Sequence, residues 1–449
     1  MNSTTDILKQ DAHLIQSFAD LNALKEQGAR TVINRAEGAY VYDNDGQKMI
    51  DGIAGLWCVN IGHGRQEMVD AIADQLKQLD YYSTFYNFTH PTAAALAEKV
   101  ADLAPGDLNA VYFANSGSVA NDTAIRMLHH YNIRKGKPEK NKVLSRHGAY
   151  HGSTHLSMAL TTPAYSEGWH CASELVHHLR APHHWREGDG MTEAEFLDAL
   201  AEDLTQSIEH LGAENICAFI AEPIQGAGGV IAAPAGYHRR MQDICRANDI
   251  KFVADEVVTA FGRLGHFFAS EAVFDTTPDI ICTAKGLTSG YQPMSATIVT
   301  DEIHDVISGP GGMFLHGMTY SGHPAASAAA LTNIAIMERE QIPERVRTTG
   351  AYFEKLMRGL MDIELVGEVR GSHFMIGIEF VMDRTTKASH PPEAEVGLKV
   401  ARACQKRGLI ARPLGNVLIL SPTLIMDEPM IDEIEAILRD AIEEVAAGL

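Results

Sequence analysis

An α/β architecture is predicted for this 449-residue chain: a mostly parallel central sheet in a large domain, with a small α+β domain assembled from both chain ends. Three observations carry the prediction. Short, wholly apolar runs alternate with helical stretches through the middle of the chain, the pattern of strands covered by helices on both faces. Hairpin signals sit instead near the two ends. The length and a composition of 45% hydrophobic and 21% charged residues support a sizeable core and exclude wholesale disorder or a fibrous repeat.

In chain order, the first hairpin is Ala39–Tyr42 and Met49–Ile50 around Asn44-Asp45-Gly46. Candidate central strands follow at Val111–Ala114, Val143–Ser145, Ile216–Ala221, Phe252–Ala254 and Ile280–Ala284. A second hairpin is expected from Leu409–Ala411 and Val417–Leu420 around Leu414-Gly415-Asn416. The chain closes with an amphipathic helix from about Pro429, with Ile431, Ile434, Leu438, Ile442 and Val445 on one face. These elements place the large domain at residues 60–320 and the small one at 1–59 together with 321–449.

The balance of 58 acidic against 37 basic residues, a formal charge of -21, opposes nucleic-acid and anionic-membrane binding. The longest run without Asp, Glu, Lys or Arg, Val306–Met337, holds five glycines and two prolines and does not read as a membrane span. With no basic-then-apolar leader at Met1–Asp6, the expected compartment is the cytoplasm. The six cysteines lack metal-ligand spacing and read as reduced core residues.

Open α/β sheets bind ligands at the carboxyl ends of their strands. Two such ends carry Asp255 and Lys285, 30 residues apart. An arbitrary pair of this kind is usually a solvated rim contact. Here the uncharged, turn-rich Gly286-Leu287-Thr288-Ser289-Gly290 follows the lysine, and an amine desolvated in such a pocket suits Schiff-base chemistry. Asn115-Ser116-Gly117-Ser118 leads from a strand into a helix, with Ser118 the expected N-cap. An ordinary cap has the same look, yet free N–H groups and the positive helix end also make this turn an anion cradle. Neither a dinucleotide nor a triphosphate fingerprint is present, so a single phosphate fits better. Cradle, aspartate and lysine together describe a pyridoxal 5'-phosphate site.

The strings Ala221–Gly229 (AEPIQGAGG), Ala254-Asp255-Glu256-Val257 with Phe261-Gly262-Arg263, and Thr283-Ala284-Lys285-Gly286 resemble the class III pyridoxal-phosphate aminotransferases of fold type I. The likeness runs from about Phe18 to the last helix. Gly55–Asn60 and His316–Pro324 are similar to the branch that uses ω-amino acids or amines with pyruvate. The resemblance implies that Lys285 holds the cofactor aldehyde as an imine and that Asp255 pairs with the pyridinium nitrogen. It implies that Tyr150 and Val257 cover the two ring faces, that Ser116, Gly117 and Ser118 take the phosphate, and that Glu222 and His151 belong to the cofactor's polar surroundings. Thr319 would reach the phosphate from a neighbouring subunit, which implies a homodimer or a tetramer of dimers. Val119 departs from the glutamate common after this turn, a small matter where backbone N–H groups hold the anion. Arg412 would clamp a substrate carboxylate, and Trp57, Phe85 and Tyr150 would shape the apolar walls.

No metal is expected. His147, His151 and His155 have i, i+4, i+8 spacing, but Gly148 and Gly152 interrupt it. His177-His178 and His183-His184 fall in an expected loop and receive no role. The reading is an aminotransferase with an ω-amine donor, such as β-alanine, taurine, a diamine or an arylalkylamine, and pyruvate as acceptor, working in two half-reactions. The competing readings are an aminomutase or lyase of the same fold and a non-catalytic pyridoxal-phosphate-binding regulator.

Overall fold

The computed structural model describes residues 3–27 and 30–449. Near the N-terminus lie β1 (Ile33–Glu37), β2 (Tyr40–Asp43) and β3 (Lys48–Asp51). The Asp43 carboxylate accepts the Asp45 and Gln47 N–H groups, and Gly46 takes φ +91°, which closes the β2–β3 turn as the Asn-Asp-Gly signal predicts.

The middle of the chain carries β4 (Ala110–Ala114), β5 (Lys142–Arg146), β6 (Val176–Leu179), β7 (Ile216–Ala221), β8 (Ile224–Gln225), β9 (Ile231–Ala232), β10 (Lys251–Asp255), β11 (Ile280–Thr283) and β12 (Ser295–Val299). Seven of these form the central sheet in the order β4-β12-β11-β10-β7-β5-β6, in which only β12 runs antiparallel to its neighbours. Every residue of β7, β11 and β12 is buried, the pattern expected of strands covered on both faces. The small hairpin β8–β9 stands apart from this sheet.

The C-terminal part holds β13 (Val366–Ser372), β14 (Met375–Asp383), β15 (Ala388–Ser389), β16 (Leu409–Ile410), β17 (Arg412–Leu414) and β18 (Val417–Leu420). β13, β14, β18 and β17 make an antiparallel sheet with β15 at its side. β16 pairs in parallel with β3, so the two chain ends share a sheet. The last helix, Glu428–Ala447, starts on the Asp427 cap and buries Ile431, Ile434, Leu438, Ile442 and Val445.

The structure corrects four expectations. The second hairpin does not use Leu409–Ala411: Leu409 and Ile410 pair with β3, and the chain changes sheets at Ala411, so Arg412–Leu414 forms the hairpin with Val417–Leu420. Ser116, not Ser118, caps helix Gly117–Arg134, because its extended backbone lets Oγ accept the Val119 N–H. His177 and His178 belong to edge strand β6 rather than a loop. Cys58 and Cys171 are half-buried, while the other four cysteines are core residues.

The run Val306–Met337 is the end of one helix, a loop, and most of helix Pro324–Arg339. Among the described residues, no helix is long and apolar enough to cross a membrane.

Candidate active site

Five parallel strands deliver their carboxyl ends to one edge, and the chemistry-bearing residues follow directly. Asn115–Ser118 leaves β4, Tyr150 and His151 follow β5, Glu222 follows β7, Asp255 ends β10 and Lys285 follows β11. Asp255 lies opposite Cys282 in the β10–β11 register, three residues before Lys285. These segments line one cavity of about 820 Å³, closed on the other side by Trp57, Arg412 and Leu414.

Lys285 sits at φ +23°, an uncommon conformation for a residue with a side chain and of a kind that collects at functional sites. Its amine pairs with none of the described residues. Burial pushes that amine below the ordinary lysine range, and the Asp255 carboxylate pulls it back upward.

Asp255 is almost fully buried. Its Oδ2 accepts from Asn121 Nδ2 and from His151 Nδ1, both at 2.7 Å, and its Oδ1 accepts the Val257 N–H at 3.1 Å. His151 Nε2 is also buried and has no partner among the described residues. Glu222 joins two loops: its Oε1 accepts the Tyr150 N–H and its Oε2 the Gly226 N–H, each at 2.9 Å. Burial raises the Glu222 pKa, His151 opposes the rise and Asp255 adds to it.

The turn at Ser116–Ser118 opens an 18-residue helix with no acidic residue in its first turn. A Cβ on Gly117 would lie 2.9 Å from a Val257 methyl, so only glycine lets the cradle backbone approach the Val257 side of the cavity this closely. Ser118 Oγ accepts the Ser153 N–H at 3.1 Å and ties the cradle to the Tyr150 loop.

Ser116, Gly117, Ser118, Tyr150, His151, Glu222, Asp255, Val257, Lys285, Trp57 and Arg412 all line the cavity. Phe85 and Thr319 do not. Phe85, expected in the apolar wall, packs against Gly317 instead, while the exposed Thr319 gives its carbonyl to the Tyr81 hydroxyl at 2.7 Å. The segment before helix Pro91–Leu103 folds onto the loop before helix Pro324–Arg339, which carries both residues away from their own chain's cavity. The three histidines do not converge: His147 stacks on His178, His151 serves Asp255, and His155 opens a separate helix.

Sequence reasoning missed Asn121, Phe18 and Tyr165. Asn121 is a polar residue between Ala120 and Ala124 on the buried face of its helix, a placement that itself asks for a partner. Phe18 and Tyr165 meet Tyr150 edge to face at centroid distances of 6.0 and 5.7 Å, making an aromatic wall that no local pattern announces.

The arrangement offers an anion cradle, a fixed buried carboxylate, an amine of lowered basicity and a guanidinium in one concave site. The comparisons agree with it. The family description "Aminotransferase class-III" matches residues 23–442. The putrescine–pyruvate aminotransferase of Pseudomonas aeruginosa is 43% identical over 445 residues, 98% of this chain and 96% of that protein. The mitochondrial gamma-aminobutyrate transaminase 1 of Oryza sativa subsp. japonica is 40% identical, over 92% of this chain and 81% of that one. Among solved structures, an (S)-enantioselective omega-transaminase from Thermomicrobium roseum superposes with a TM-score of 0.96 at 37% identity, covering 99% of both chains. A transaminase from the marine bacterium Virgibacillus gives 0.94 at 35% identity, again over 99% of both. With a fold of type I and a family match along nearly its whole length, this chain belongs to the class III aminotransferases.

Proposed function

We propose that the protein is a pyridoxal 5'-phosphate-dependent amine:pyruvate aminotransferase, taking the amino group of an ω-amino acid or primary amine and releasing alanine. The observation that carries this reading is the cavity's two basic groups without hydrogen-bond or ion-pair partners among the described residues: the Lys285 amine near Asp255, and the Arg412 guanidinium. Both are free to meet reactants.

The residues fit the cofactor. The helix terminus at Ser116–Ser118 suits one phosphate, the Asp255 carboxylate suits a protonated ring nitrogen, and the Tyr150 and Val257 walls suit the faces of a flat ring. When bound, the cofactor supplies an aldehyde to receive the amino group and a ring that withdraws electrons from the donor carbon. Lys285 Nζ would take the proton from the amino-bearing carbon of the donor, a role its lowered basicity favours. Asn121 and His151 hold Asp255 in place, and Trp57 with the Tyr150 wall keeps water away. Arg412 would grip the carboxylate of pyruvate. Over both half-reactions the donor loses its amino group to become a carbonyl compound and pyruvate becomes alanine.

The relatives' activities, with putrescine and with gamma-aminobutyrate, support a terminal-amine donor. A homodimer is the smallest unit proposed. Tyr86 is 97% exposed and Leu315 80% exposed, and with Tyr82, Phe88, Met313 and Tyr320 they mark an apolar surface around Phe85 and Thr319 suited to a second copy. Across it, Thr319 would reach the partner's phosphate cradle and Phe85 the partner's pocket wall.

The test is a donor panel assayed with pyruvate and with 2-oxoglutarate. Alanine formed in equal amount to the carbonyl product is expected. No alanine from any amine would overturn the proposal.

A further inference from the structure

One wall of the cavity is the segment Glu222–Val230, which leaves β7, enters hairpin β8–β9 and presents Ile224 and Ala227 to the ligand space. Its backbone is under tension. Val230, a buried β-branched residue, stands at φ +60°, next to Gly229 at φ +103°, a conformation glycine takes freely. Strain of this kind persists only where surrounding contacts over-determine it.

Two buried arginines supply such contacts. Arg146 Nη2 donates to the Glu222 carbonyl at 2.6 Å, and Arg370 Nε donates to the Gly229 carbonyl at 2.7 Å. Arg370 projects from β13 of the C-terminal sheet and is itself held. Its Nη1 donates to Glu368 at 2.8 Å and also to Glu379, which lies opposite Glu368 in the β13–β14 register. His183 meets Glu368 at 2.9 Å, and Arg186 Nε donates to Glu379 at 2.8 Å. Left alone, two facing carboxylates in a half-buried strand pair would repel. The two guanidiniums balance them and fix Arg370 in one rotamer. The fit is close: a Cβ on Gly377 would come within 2.6 Å of the Gly229 carbonyl oxygen, and one on Gly229 within 2.8 Å of Arg370 Nη2.

We propose that Arg370 is a positioning residue for substrate selection, setting the depth of the Ala227 wall by pinning the Gly229 carbonyl to the C-terminal sheet. It touches neither cofactor nor substrate. Glu368 and Glu379 hold the Arg370 guanidinium, and the bond from its Nε to the Gly229 carbonyl is what sets the wall. Without the pin, the tension at Val230 is released and the turn Gly226–Gly229 moves outward, which admits a longer substrate chain. The inference rests on the aminotransferase reading above.

The experiment compares kcat/KM for pyruvate and for 2-oxobutyrate, one methylene longer, in the holoenzyme. In R370M the preference for pyruvate should fall by about tenfold, the scale of discrimination that one methylene permits. The KM for pyruvate should rise more than kcat falls. G377A, which pushes on the Gly229 carbonyl without touching the ion cluster, should shift the ratio the same way. E368Q, which leaves the Arg370–Gly229 bond in place, should keep the wild-type ratio. A purely structural role would lower the active fraction for both acceptors alike. An unmoved ratio in active R370M overturns the proposal, as does a shift in E368Q as large as in R370M. If R370M yields no soluble protein, R370K, whose single ammonium does not span both carboxylates and the carbonyl, and G377A decide by the same ratio. Failure of the wild type to make alanine from any donor would instead count against the aminotransferase reading.

Discussion

Asn121 Nδ2 lies 2.7 Å from Asp255 Oδ2, the same carboxylate oxygen that His151 Nδ1 reaches at 2.7 Å from another loop. Two donors from two elements therefore fix one buried carboxylate, the group proposed to face the cofactor ring. The amide also donates to the His151 carbonyl at 2.7 Å, so it sets the spacing of the whole triad. Removing one donor to a buried charge costs about 1.5–3 kcal/mol. N121A should accordingly lower kcat/KM by about tenfold or more, with Asp255 still present. D255N, which keeps the shape and loses the charge, should lower kcat by about 10²–10³-fold, the scale of a lost electrostatic partner at a reacting centre. Steady-state kinetics on both variants check this, and an N121A enzyme as active as wild type would refute it.

Lys285 gives a pH prediction with a definite sign. Burial lowers its pKa below the ordinary lysine value and Asp255 acts in the opposite direction. The amine is therefore neutral at pH values where an exposed lysine is still charged. The rate at which cofactor-free protein reacts with an aldehyde should hold as pH falls, and drop only below that lowered pKa. Without the Asp255 charge, D255N should drop at still lower pH. In the window between the lowered and the ordinary value, the unfolded chain binds more protons than the folded one. The stability of cofactor-free protein therefore gains from this group as pH rises through that window, and K285M should lose that gain. Borohydride trapping across pH, followed by peptide mapping, reads the first effect, and denaturant titrations read the second. Label on a lysine other than Lys285 would refute the assignment.

What was legible in the sequence divides along a physical line. Asp255, Lys285 and the Ser116–Ser118 turn are each attached to the strand that delivers them, so short apolar runs followed by polar residues reveal both the element and the site. The aromatic wall is different, because Phe18, Tyr150 and Tyr165 come from three distant segments and meet only through tertiary packing. The same holds for Arg263, which is fully buried with no ion-pair partner among the described residues and donates to the Phe374 carbonyl and to Asn60 Oδ1, joining segments more than a hundred residues away. The misplaced strand at Leu409 has a simple cause. A three-residue apolar run records that it will pair, but not with which edge, and β3 was the available partner.

Arg412 should separate substrates by charge. Its guanidinium is half-buried at the cavity edge and has no partner among the described residues, so it holds its donors open for a carboxylate. A charge-assisted hydrogen bond is worth about 1.5–3 kcal/mol, a factor of about ten to a hundred in affinity. R412A should raise the KM for pyruvate by that factor. The half-reaction with an amine lacking a carboxylate should change little, because such a donor has nothing for the guanidinium to hold. Single-turnover absorbance with an arylalkylamine, compared with β-alanine, tests this, and equal losses with both donors would refute the role.

The apolar surface around Thr319 predicts that catalytic competence depends on assembly. Tyr86 and Leu315 are too exposed and too apolar to be left in water as a group with Tyr82, Phe88, Met313 and Tyr320. Placing a carboxylate on this surface, as in L315D, should convert the proposed assembly to monomer in sedimentation velocity and remove activity together with cofactor retention, as expected if the Thr319 hydroxyl completes a neighbouring cradle. A mixing experiment separates assembly from damage to the fold. K285A lacks the amine of its own cavity but keeps Thr319, whereas a T319A chain keeps Lys285 but offers its partner no hydroxyl. If sites are shared across the surface, a mixed dimer holds one cavity with both defects and one with neither, so co-refolded inactive K285A and impaired T319A should recover activity above the sum of the two alone. Activity that stays at that sum would mean each chain completes its own site, and the surface would then need another explanation.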